Sequence, residues 1–199
     1  GLAEAPEQPL GVFVFDEAVL EHAGAPRVAF MLEALEKLRG DYRERGSELL
    51  VRRGDPSAVL VELASEHGAE FVSWNGDYSG LAQQRDDRVA AALKEADVRT
   101  RTFHDAICHE PGSITTNAGD PYSVYSYFWK KWRDREKRAS ASAPGADRLA
   151  SPRSETPIPT LADLGFDEPE AEIPPGGYET ARHRLNDFCA EDIYRYDDA

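Results

Sequence analysis

Short apolar runs alternate with longer stretches of helical spacing over the first half of this chain. Val12, Phe13, Val14 and Phe15 form a continuous apolar run between Gly11 and Asp16, the pattern of a strand buried on both faces. Pro26 opens a helix in which Val28, Met31, Leu32, Leu35 and Leu38 keep helical spacing. Arg27, Glu33, Glu36, Lys37 and Arg39 fill its polar positions, and it stops at about Gly46. Leu49–Val51 is a second strand. Asp55-Pro56 closes a turn and starts a helix that carries Val59, Leu60, Leu63 and Ala64 to about Gly68. Phe71–Trp74 is a third strand, followed by a loop over Asn75–Gly80 and a helix from about Leu81 to Ala96. Arg101–His104 is a weaker fourth strand.

That alternation predicts an α/β fold: a doubly wound, mostly parallel, Rossmann-like sheet with helices on both faces. Ligands of such sheets sit at the carboxyl ends of the strands, which here are the loops Asp16–Ala25, Arg52–Pro56 and Asn75–Gly80. None holds a GxGxxG or GxxxxGK[ST] string, so dinucleotide binding of the usual kind and P-loop chemistry are unsupported.

The second half changes character. Asn117, Gly119, Asp120 and Pro121 form a turn, with Asp120 and Pro121 placed to start a helix. Tyr122, Tyr125 and Trp129 then fall at helical spacing, as do Tyr125, Phe128 and Trp132, and the spacing predicts a core-facing aromatic stripe. Lys130, Lys131, Arg133 and Arg135 read as the solvated back of that helix. Ala139–Pro159 is rich in Ser, Ala, Pro and Asp, as linkers are. Thr160–Phe166 is a short amphipathic island and Asp167–Gly177 is acidic and turn-rich. Tyr178–Cys189 predicts a helix with Ala181, Leu185 and Phe188 on one face. The resulting division is an α/β domain over 1–137, a linker over 138–176, and over 177–199 the first helix of an all-α domain. The chain starts at Gly1 and stops in charged sequence, so both ends read as cut.

The 199 residues carry a net charge of −14, and only five of the basic residues are Lys. Concentrated salt screens the self-repulsion of such a load, so the pattern suits a halophilic source. It also argues against this segment gripping nucleic acid by itself. Cys108 and Cys189 lack any CxxC or Cys/His metal spacing, which points to a reducing, cytoplasmic compartment. No apolar run approaches membrane-spanning length. His104 and His109 flank Cys108, but Cys108–Gly112 reads as a loop entering a turn rather than a nucleophile site. The residues alone give no reaction, no catalytic group and no metal site.

Three strings in order change this. Trp74-Asn75-Gly76-Asp77-Tyr78 with Arg85-Asp86 resembles the WNxD…RD segment of the class I DNA photolyase/cryptochrome family. Pro111-Gly112, then Gly119–Tyr125 and Phe128–Trp132, resembles its PG…GxPYxVYxxFWKxW segment. Glu191–Tyr196 is similar to its entry into the flavin domain, and Val12–Asp16 with Pro26–Phe30 fits its beginning. The resemblance implies an amino-terminal antenna domain, lacking its first strand, with the linker and the first helix of the helical FAD domain. The family reaction is light-driven splitting of cyclobutane pyrimidine dimers in DNA by electron transfer from reduced FAD. The damaged DNA would be held by the missing helical domain of a monomer, with no membrane partner. The fragment alone is then inactive, and Trp74, Trp129 and Trp132 are not the family's electron relay.

The resemblance carries over few site residues. Tyr196 matches the tyrosine that contacts the FAD phosphate. Asp77, with Asn75 and Tyr78 in the same loop, matches the carboxylate of the antenna pocket in members that use a deazaflavin. A helix-capping carboxylate is the other reading of Asp77. The folate-using branch has an Asn–Glu pair where this chain has Leu81 and Ala82. This leaves 8-hydroxy-5-deazaflavin, or no antenna at all, favoured over methenyltetrahydrofolate. A cryptochrome photoreceptor, or an unrelated nucleotide-binding α/β module, are the competing functions.

Overall fold

The structure is a computed structural model that describes residues 8–105, 107–139, 145, 148–151 and 156–198, the side chains of 196–198 excepted. β1 (Gly11–Phe15) and β2 (Leu49–Arg53) pair in parallel, with Gly11 opposite Leu49 and Phe15 opposite Arg53. α2 (Ala25–Glu44) is the crossover between them. It is preceded by α1 (Glu17–Leu20), a single turn that falls inside the expected Asp16–Ala25 loop. The Asp16 side chain accepts from the Ala18 N–H at 3.0 Å and so starts that turn. α3 (Pro56–His67) begins where Asp55-Pro56 predicts. The Asp55 carboxylate caps Ser57 N at 3.0 Å, and Gly68, at φ 64°, takes the left-handed position that ends the helix. β3 (Phe71–Asn75), α4 (Gly80–Glu95) and β4 (Arg99–Phe103) complete a second parallel pair, with Phe71 opposite Arg99 and Asn75 opposite Phe103.

The fold is therefore α/β with parallel strands and helical crossovers. The described strands form two two-stranded sheets, β1–β2 and β3–β4. β1 is less enclosed than its apolar run predicts, since Val12 is exposed, whereas Leu49, Leu50 and Val51 are all buried.

The chain divides into two compact units, one spanning Asp55–Pro144 and the other Glu7–Gly54 together with Gly145–Ala199. In the second, Phe15, Val28, Leu35, Leu49 and Val51 form a core that Leu164 joins from far along the chain. Ile158, Leu161 and Phe166 pack against it. The Thr160–Phe166 island is thus a strap on this core, wound through the 3-10 turn Ala162–Leu164. Each large aliphatic side chain so buried contributes roughly 1.5–3 kcal/mol. Arg39, one of the polar positions of α2, is enclosed rather than solvated. Arg39 and Glu48 are 5% and 4% exposed. Arg39 pairs with Glu48 through Nε and donates to Thr156 O through an amino group at 2.6 Å. Arg43 donates to the other Glu48 oxygen at 2.7 Å.

In the unit Asp55–Pro144, α3 and α4 pack together over Ala64, Val89 and Leu93, with Leu60, Val72 and Trp74 beside them. α5 (Tyr125–Asp134) starts later than Asp120-Pro121 predicts. Thr116 N–H donates to Asp120 O at 2.8 Å, and Thr115 bridges Pro121 in antiparallel sense. Those contacts commit Asp120-Pro121 to a turn and leave Val124 as the N-cap. The aromatic stripe also departs from expectation. No residue of α5 is buried: Phe128 and Trp132 are half-buried, and Tyr125 and Trp129 are exposed. α6 (Tyr178–Ala190) likewise buries no residue; Leu185 of its expected apolar face is exposed and Phe188 half-buried.

Candidate functional site

The loop after β3 is held from three directions. Gly76 N–H donates to Phe103 O at 2.9 Å, extending the β3–β4 ladder by one residue. Asp77 folds back on its own loop, its carboxylate accepting from Ser79 N at 2.9 Å. Ser79 in turn caps α4, its Oγ accepting from Ala82 N at 3.3 Å. The third tether is Tyr78. Its hydroxyl lies 2.9 Å from His104 Nδ1, and the two rings stack at 5.9 Å between centroids and 10° between planes.

His104 Nε2 lies 3.3 Å from Glu110 Oε1. In the tautomer with its proton on Nε2, that nitrogen points the proton toward the Glu110 carboxylate. Nδ1 is then the acceptor for the Tyr78 hydroxyl. The line Tyr78–His104–Glu110 joins the loops that follow β3 and β4, at the carboxyl ends where α/β sheets hold ligands.

The Asp77 carboxyl is held below its usual range by the Ser79 N–H, then the Tyr78 N–H, with the Arg85 guanidinium a smaller contributor. It is an ionised acceptor with lone pairs beyond those the loop uses. Asn75 and Asp77 are exposed and Tyr78 is half-buried, so the three expected antenna residues share one open loop. Arg85 turns to Asp86 instead, donating to Oδ1 through Nε and an amino group at 2.9 and 2.7 Å. Of the two positions that bear on a folate, Leu81 is exposed and Ala82 is buried. Tyr196 lies in the 3-10 turn Asp192–Asp198, and its side chain is outside the described residues.

Sequence reasoning weighed His104 only as a neighbour of Cys108. Among the described residues no hydrogen bond joins Cys108 to either histidine. Cys108 is exposed, and His109 sets its ring edge-on to Trp132 at 5.9 Å. The signal for His104 was its place directly after the strand beside β3. Glu110 carried no local signal.

The family model described as DNA photolyase matches residues 1–147. The chain belongs to the DNA photolyase family. Deoxyribodipyrimidine photo-lyase of Halobacterium salinarum is 53% identical over 191 residues, which are 94% of this chain and 40% of that protein. The enzyme of the same name from Synechococcus is 38% identical over 210 residues, covering 99% of this chain and 43% of the relative. An archaeal photolyase structure from Sulfolobus tokodaii, with two FAD molecules, superposes at a TM-score of 0.76. It is 19% identical and covers 92% of this chain and 40% of its own. The chain thus spans about two fifths of the length of these photolyases. Among the described residues no helix is long and apolar enough to cross a membrane.

Proposed function

We propose that the parent protein reverses cyclobutane pyrimidine dimers in UV-damaged DNA under light, and that this chain supplies its α/β region. The observation that carries the reading is the 53% identity to a deoxyribodipyrimidine photo-lyase over nearly the whole chain. FAD, when bound, supplies the light-driven electron. Most of its contacts, and those to the dimer, then fall outside these 199 residues, with Tyr196 reaching its phosphate. A net charge of −14 supports placing the DNA grip elsewhere in the parent, which acts as a monomer in the cytoplasm of a halophile.

The loop Asn75–Tyr78 is the seat of a second, light-harvesting chromophore. Asp77 offers an ionised acceptor to a ring N–H or hydroxyl, Asn75 a second polar group, and Tyr78 an aromatic wall fixed by His104. 8-Hydroxy-5-deazaflavin fits better than methenyltetrahydrofolate. Leu81 and Ala82 offer no polar group, and Ala82 is packed into the buried side of α4, where a longer acidic side chain would lose its water.

The test is dimer reversal by the full-length protein in light and in darkness. Loss of dimers in light alone is the expected result; equal amounts in both conditions, with flavin bound, would sink the proposal. The 199-residue chain alone is expected to show no reversal.

A further inference from the structure

Two arginines just past α5 converge on the loop that follows β4. Arg138 pairs with Asp105. Arg135 donates to Ser113 O at 2.8 Å and lies 3.1 Å from Ser113 Oγ. Ser113 N–H in turn donates to Glu110 O at 3.1 Å. Pro111 and Gly112 occupy the centre of that turn, with Gly112 at φ 77°, the left-handed value that such a turn asks of its third residue. The loop is held near both ends, and it carries Glu110 to within 3.3 Å of His104 Nε2. Arg135, read from the sequence as part of a solvated helix back, is a tether for this loop.

Stability does not account for the His104–Glu110 contact. The two side chains are 40% and 57% exposed, and a solvated pair of that kind adds little to folding. What it controls is a direction. The bond from Gly76 N–H to Phe103 O brings His104 alongside the loop after β3. Tyr78 is half-buried there and is not among the side chains packed on the α3–α4 core. Its hydroxyl meets His104 Nδ1 at 2.9 Å and its ring lies parallel to the imidazole. Among the described residues no other ring stacks on Tyr78. The imidazole is itself held at both nitrogens, which fixes its plane and with it the place of the phenol.

We propose that His104 is a positioning residue for the heteroaromatic ligand of the Asn75–Tyr78 loop, acting through Tyr78, and that Glu110 orients His104 from its tethered loop. The ligand seat is then built from two loops, and the one after β4 sets how firmly a planar ring is held against the one after β3. The proposal rests on the reading of the Asn75–Tyr78 loop as a chromophore seat, and it adds the groups that control that seat. The two imidazole nitrogens have different partners, so they can be tested apart. Asparagine at position 104 can place its amide oxygen near the site of Nδ1, facing Tyr78, whereas glutamine can place its amide near the site of Nε2, facing Glu110.

The full-length protein, isolated without a second chromophore, is titrated with 8-hydroxy-5-deazaflavin. The Kd and the induced circular dichroism of the bound ring are read in the unsubstituted protein and in His104→Asn, His104→Gln, His104→Phe and Tyr78→Phe. The expected result is an unsubstituted-like Kd and dichroism in His104→Asn. Binding roughly five- to tenfold weaker, with an altered dichroism band, is expected in the other variants. Tyr78→Phe combined with His104→Phe is expected to bind no more weakly than either alone. Additive losses would separate His104 from Tyr78 and overturn the inference. Equal loss in His104→Asn and His104→Gln would make His104 a prop of the loop and overturn it too. Unchanged Kd and dichroism in every variant would overturn it and leave the chromophore seat standing. Failure of the unsubstituted protein to bind the deazaflavin would overturn the seat itself, and the inference with it.

Discussion

Tyr78 and His104 stack ring on ring while the phenol oxygen sits 2.9 Å from Nδ1, so one side chain from each of two neighbouring loops sets the position of the other. Tyr78→Phe keeps the stack and removes the hydrogen bond. Because the pair is solvent-accessible, the cost is about 0.5–1.5 kcal/mol or less. Amide hydrogen exchange in the full-length protein is expected to speed up at residues 76–78, with α4 unchanged. Equal protection in both proteins would remove the structural role given to His104.

The Arg39–Glu48 pair is a stronger constraint because both side chains are buried. Glu48→Gln leaves Arg39 charged and buried without its carboxylate. Removal of one member of such a pair costs about 3–5 kcal/mol. Replacing both, as Arg39→Met with Glu48→Leu, is expected to recover much of that loss. Urea unfolding of the full-length protein at neutral pH measures both.

The same residue gives a pH dependence. Burial pushes the Glu48 carboxyl up, but the hydrogen bonds from Arg43 and Arg39 outweigh it, and its pKa in the fold lies below its ordinary 4.5. A depressed carboxyl contributes stability that is present above the unfolded value and lost as pH falls through the folded one. Acid unfolding is therefore expected to steepen below about pH 4.5, and Glu48→Gln should remove that component.

Two glycines give opposite outcomes for one added methyl group. Gly40 lies within α2 with no neighbouring atom within 4 Å of a new Cβ, and Gly40→Ala is expected to stabilise by about 0.5–1 kcal/mol. A Cβ on Gly11 falls 2.5 Å from the Tyr42 ring, and Gly11→Ala is expected to cost about 1–3 kcal/mol. Thermal unfolding of the two variants checks the signs.

What the sequence made legible was local. The Asp55-Pro56 start of α3 and the helical spacing of Val28 and Leu35 need only near neighbours, and they were read correctly. The misreadings come from contacts that spacing along the chain does not show. Arg39 reads as one more polar position of α2, and its pairing with Glu48 and the Thr156 carbonyl shows only in the fold. Asp120-Pro121 looks like a helix start until Thr115 and Thr116 claim it for a turn. The aromatic spacing of α5 is helical, as expected, but periodicity cannot say whether a stripe meets a core or an open surface. At the candidate site, the loop residues Asn75, Asp77 and Tyr78 came from the family resemblance. The pairing of Tyr78 with His104, and of His104 with Glu110, came only from the fold.

The action spectrum of dimer reversal tests the central reading most directly, using the full-length protein with Asp77 intact and as Asp77→Ala. The expected result is light-dependent reversal in both. In the unsubstituted protein a second chromophore should extend the spectrum beyond the flavin band, and Asp77→Ala should lose that extension while keeping the fold and the flavin. No reversal at any wavelength, with flavin bound, would contradict the assignment to repair. An extension untouched by the substitution would contradict the role given to the loop after β3.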